Sequence, residues 1–98
     1  MTAEELLRAA QAGVPPPGLP GPLRALVEDA RGDWEAAHAA AQAGDDAASA
    51  WVHAYLHRKE GDLGNAGYWY NRAGRVKPAG TLEEEWLAIA RALLGQPG

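Results

Sequence analysis

Apolar residues recur at intervals of three and four along most of the chain, and short breaks rich in glycine, proline or aspartate separate the runs. Between Leu63 and Lys77 the series is Leu63, Ala66, Tyr70, Ala73 and Lys77, with Trp69 and Val76 beside it. That spacing marks one face of a helix of 3.6 residues per turn. Asn65, Tyr68, Asn71, Arg72 and Arg75 fall on the opposite face. The stretch from Asp46 to Val76 therefore reads as two antiparallel helices folded about Gly61 and Asp62. Gly61 can take the left-handed conformation that closes a helix, and Asp62 can accept from the free N–H groups that open the next one.

The same period appears in the flanking segments. Leu6, Leu7 and Ala10 form a short stripe behind a capping box, Thr2 with Glu5. Leu23, Leu26, Val27 and Ala30 form another, with Pro22 in the first helical turn. Trp34, Ala37, His38 and Ala41 line a third after a second Gly-Asp turn at Gly32 and Asp33. Near Gly44 this helix stops, and Asp45 or Asp46 caps the next. Pro78 and Gly80 end the helix that runs through Val76. Thr81 with Glu84 is a second capping box, opening a helix with Leu82, Trp86, Ile89, Ala90, Leu93 and Leu94 on one side. The acidic first turn there, Glu83 to Glu85, suits the helix dipole. Gly95 to Gly98 reads as a frayed tail. No segment alternates with period two, and β-branched apolar residues are scarce, so no strand is expected.

The expected fold is all-α, with five or six helices in antiparallel pairs. Residues 1–13 form an N-terminal helix, residues 14–22 a proline-rich strap, and residues 23–95 a helical repeat-like unit, all within one domain. Five prolines in Val14 to Pro22 forbid helix and favour an extended path. That segment reads as a strap laying Leu19 on the bundle or as a linker; the sharper alternative is a ligand for a proline-recognition domain.

Composition narrows the chemistry. Hydrophobic residues make up 47% of the 98, but many are Ala and none is Phe, so the core must be thin. Gly64, Gly67 and Gly74 are expected to let a neighbouring helix approach closely, at a propensity cost of about 1 kcal/mol each. The net charge of −4 argues against nucleic-acid binding, which needs clustered cations. Zero cysteines exclude disulfides, thiol catalysis and Cys-ligated zinc. No apolar run approaches the ~20 residues of a membrane span, and MTAEELLRAA does not read as a signal peptide, so a cytoplasmic protein is expected.

The two Gly-Asp turns lie 29 residues apart, at Gly32 and Gly61, and a period in the range of roughly 20–50 residues marks stacked helix pairs. After Asp62 come Ala66, Tyr70, Ala73 and Pro78. In these residues the second unit resembles a tetratricopeptide or Sel1-like repeat, with Ala54 at the small contact position of its first helix. The first unit departs from that pattern, with Ala41 where the aromatic belongs. The string HAYLHRKEGDLGNAGYWYNRAG also resembles a segment of a bacterial protein family without assigned function. The repeat resemblance implies a groove that holds peptides or partner proteins, and would put Trp51, Tyr55 and Arg58 in it.

Two constellations carry candidate chemistry. His53, His57 and Glu60 are spaced to project from one side of a helix, and with His38 they could ligate a divalent metal. The tight protease motif, with Glu directly after the first His, is absent, since Ala54 follows His53. The bland alternative is a set of structural histidines bonded to carboxylates or carbonyls. The second constellation is the polar face of Tyr68, Asn71, Arg72 and Arg75, an aromatic and basic surface that helix stability does not require. The leading reading is a non-enzymatic protein- or peptide-interaction module with no catalytic residues and no cofactor, its partner being another protein or a second copy of itself. The alternative is a small metal- or ligand-binding protein, or a hydrolase, built on His38, His53, His57 and Glu60.

Overall fold

Local signals place the helix ends. In the computed structural model, which describes residues 1–95, Thr2 and Glu5 close a capping box ahead of α1 (Ala3–Gln11). Five further helices follow among the described residues: α2 (Gly21–Ala30), α3 (Trp34–Gln42), α4 (Ala47–Glu60), α5 (Leu63–Ala73) and α6 (Leu82–Leu93). Among these residues there is no strand. Gln96 to Gly98, most of the expected tail, lie outside the described residues.

Both Gly-Asp turns work in the same way. Gly32 and Gly61 sit at φ 87° and 88°, the left-handed region that a Cβ disfavours. Asp33 and Asp62 then cap α3 and α5, their side chains accepting from the N–H groups of Ala36 and Asn65. The outcome is two antiparallel hairpins, α2–α3 and α4–α5, with α3 also lying against α4. Thr81 and Glu84 form the second expected capping box at α6. Asp46 occupies the N-cap position of α4, but its side chain makes no capping bond.

α4 is the central element. Every residue from Ser49 to His57 is buried, so it meets neighbours on all sides. Around it, Leu6, Leu26, Val52, Leu56 and Ile89 are fully buried, and alanines at 37, 54, 66 and 90 bring helix backbones close. The N-terminal helix is part of this body: α1 packs on α2 and α6, and Arg91 donates to Glu4 across that contact. The proline strap lays Leu19 against the core.

Three expectations at α5 are corrected. The helix does not run to Val76. Gly74 takes the left-handed conformation at φ 70°, and Gly74 N and Arg75 N bond back to the carbonyls of Asn71 and Tyr70, ending α5 at Ala73. Val76 is consequently 89% exposed and shares no helical face with Tyr70. Leu63 is exposed too. Finally, a Cβ added at Gly64, Gly67 or Gly74 would meet nothing within 4 Å, so these glycines do not admit a neighbouring helix.

Candidate functional site: a three-histidine cluster

α3 and α4 cross so that His38 faces His53 and His57. The spacing of the latter two, one helical turn apart, stacks their rings with centroids 4.8 Å apart and planes 25° apart. His38 meets them edge-on, at 4.7 Å from His53 and 5.2 Å from His57. One ring nitrogen from each lies within 4.8 Å of those of the other two.

Two tryptophans wall the cluster. Trp34 stacks on His38 at 4.8 Å and is fixed by its indole N–H, which donates to the Leu56 carbonyl at 3.0 Å. Trp69, from α5, stacks on His53 at 3.9 Å. Arg72 then lies 5.1 Å above the Trp69 ring and donates to the Tyr68 hydroxyl.

Hydrogen bonding separates the three histidines. His57 Nδ1 is 2.6 Å from Glu60 Oε2, so Nδ1 carries the hydrogen of that bond; in the neutral tautomer this pairing selects, Nε2 holds the lone pair. No hydrogen bond ties a ring nitrogen of His38 or His53 to any described residue. A buried histidine normally spends at least one nitrogen. No side-chain nitrogen among the described residues is both sealed from solvent and without a partner. The nitrogens of His53 therefore reach solvent, although the residue is only 3% exposed.

Electrostatics favour the neutral form of His38 and His53. Burial pushes His53 down to about 4, and the neighbouring His38 and His57 push in the same direction. His38 is also lowered, first by burial and then by His57, against an opposing pull from Glu60 and Glu35. Neutral imidazoles with free lone pairs are what a borderline metal ion needs.

The expected partner-binding residues are divided differently. Tyr55 is buried, its hydroxyl donating to Asp29 Oδ2 at 2.9 Å; burial and that carboxylate raise its pKa well above the usual phenol range. Arg58 is spent on Glu85 at 2.9 Å and on the Gly80 carbonyl. Trp51 is buried beneath Arg75, whose guanidinium sits 3.4 Å from its ring centroid. Tyr68, Asn71, Arg72 and Arg75 are exposed. Sequence reasoning missed Asp29 and Glu85 as buried anchors, and Trp34 and Trp69 as the walls of the cluster. A paired positive residue on α4 was the available signal: Lys59 meets Asp29 at 2.8 Å, and Arg58 meets Glu85.

No protein family, curated protein or solved structure matches the chain. Among the described residues no helix is long and apolar enough to cross a membrane.

Proposed function

We propose that this protein binds a divalent transition-metal ion through His38, His53 and His57. The observation that carries the reading is the convergence of three imidazoles, two of which have no hydrogen-bond partner among the described residues. Tetrahedral ligation at about 2.0–2.1 Å sets ligand nitrogens roughly 3.4 Å apart. The nitrogens lie within 4.8 Å of one another, and metal binding would draw them in to that spacing. Glu60 fits the outer partner of a ligand, since a carboxylate on the far nitrogen of a metal-bound histidine orients the ring and raises its basicity. A fourth position is left for water. Binding is proposed and not hydrolysis, because the carboxylate in contact with the cluster is already committed to His57.

Calorimetric titration with zinc and with nickel, alongside native mass spectrometry, tests this. One equivalent is expected to bind wild type, with His38→Ala, a half-buried position, abolishing uptake. Glu60→Gln should weaken binding by about 10- to 100-fold. Equal, negligible uptake by wild type and His38→Ala would discard the proposal.

A second reading, a protein- or peptide-interaction module of tetratricopeptide-like stacked helix pairs, has its own support. The two hairpins share one turn chemistry, and Tyr68, 55% exposed, stands beside Arg72 with its hydroxyl accepting from the guanidinium. Affinity capture with wild type and with a Tyr68→Ala, Arg72→Ala double variant tests it; identical partners in both would remove this face. Self-association is checked by sedimentation, where a lone 10.3 kDa species at high concentration would rule it out.

A further inference from the structure

The connection from α5 to α6 bridges a groove of about 670 Å³ that the histidine cluster does not touch. Trp51 forms part of its lining, Val76, Pro78 and Leu87 give it apolar walls, and Arg75 and Arg91 supply cations. Its volume falls within the roughly 300–1,000 Å³ usual for small-molecule sites.

The charges in the groove are mostly committed. Arg91 donates to Glu4. Glu85 accepts from Arg58 and from the Tyr70 hydroxyl. Glu84 is turned onto the backbone N–H of Thr81 as the closing half of the capping box. Arg75 is different. Its guanidinium carbon lies over the Trp51 ring, 3.4 Å from the centroid, and the guanidinium makes no ion pair or hydrogen bond with any described residue. The ring contact restrains the guanidinium while its N–H donors remain without a partner among the described residues. A guanidinium so held is pre-organised for a planar, two-oxygen acceptor. Gly74 makes this possible, because its left-handed turn stops α5 and swings Arg75 back across Trp51.

We infer that this groove binds a small amphipathic carboxylate, with the carboxylate on Arg75 and an aromatic or aliphatic body along Val76, Pro78 and Leu87. A monoanion is favoured over a phosphate dianion, because the Glu84 and Glu85 carboxylates also line the groove and repel added negative charge. The solvent-facing Val76, 89% exposed at the wall, would be covered by the ligand body.

The test is a ¹H–¹⁵N titration of the full chain with 4-phenylbutyrate and, separately, with its neutral amide. The Trp51 indole N–H and the amides from Gly74 to Gly80 report the groove. The acid should shift these signals saturably and bind at least ~10-fold more tightly than the amide. Arg75→Gln should erase that preference. Val76→Asp, at an exposed position where folding is not at stake, should weaken the acid more than the amide. Equal binding of acid and amide to wild type overturns the inference. So does undiminished acid binding by Arg75→Gln, or the absence of groove shifts at about 10 mM acid. Because no histidine lines the groove, these outcomes are independent of whether the metal site exists.

Discussion

A Cβ placed on Gly44 would lie 2.3 Å from the Ser49 hydroxyl oxygen and 3.1 Å from the Ser49 Cβ. Ser49 is buried in the first turn of α4, so it has little room to retreat. Gly44→Ala should therefore destabilise the protein by about 1–3 kcal/mol, the usual range for forcing atoms into a filled site. Gly67 is the opposite case. Nothing lies within 4 Å of its Cβ direction, and its backbone is helical. Gly67→Ala should stabilise by about 1 kcal/mol, through helix propensity alone. Urea midpoints of the two variants should move to opposite sides of wild type. This contrast was not legible in the sequence, which assigned Gly67 to a helix contact. A turn glycine announces itself through its neighbours, as Gly61 does beside Asp62. A helical glycine does not, because what stands opposite is decided by another segment of chain.

Between elements, α4 and α6 are joined by a buried ion pair. Glu85 is 3% exposed and takes bonds from Arg58 and the Tyr70 hydroxyl, binding α4, α5 and α6 at one carboxylate. Burial and that carboxylate together raise the Tyr70 pKa well above the usual phenol range. Removing one partner strands the other charge, which in buried pairs costs about 3–5 kcal/mol. Glu85→Ala should lose stability in that range, whereas Glu83→Ala, at an exposed position of the same turn, should stay within about 0.5 kcal/mol. Chemical denaturation of the pair separates the two roles. From sequence the three glutamates look equivalent, as charges at a helix start. Periodicity gives each helix its inner face, which is why five or six helices and the two Gly-Asp turns could be anticipated. It does not give the partner across the interface. The histidines illustrate the same limit: His53 and His57 are on one side by spacing, and His38 was a candidate, but their meeting and their tryptophan walls depend on how α3 and α5 cross α4.

For the molecule as a whole, the cluster makes stability depend on pH. Trp34 and His38 come from α3, His53 and His57 from α4, and Trp69 from α5, so protonation there strains three helices at once. In the unfolded chain His53 takes a proton near pH 6.5, the ordinary histidine value; in the folded protein burial delays this to about 4. Above pH 6.5 both states are neutral and no penalty exists. As pH falls through the interval from 6.5 to about 4 the unfolded state binds the extra proton, so stability drops by up to ~3 kcal/mol and then levels off for this group. His38, lowered in the same direction, adds to the slope, while Glu60 and Glu35 moderate its share. Urea midpoints at pH 7.5, 6 and 5 should fall in that order, and His53→Gln, which cannot titrate, should flatten the trend. Saturating zinc should raise stability at pH 7.5 by about 2.7 kcal/mol at a hundred times its dissociation constant, and lose this effect only as pH falls below about 4, where His53 takes a proton in the fold and the ion must compete for that lone pair. A wild-type midpoint that does not change between pH 7.5 and 5 would mean that His53 is not held neutral in the fold.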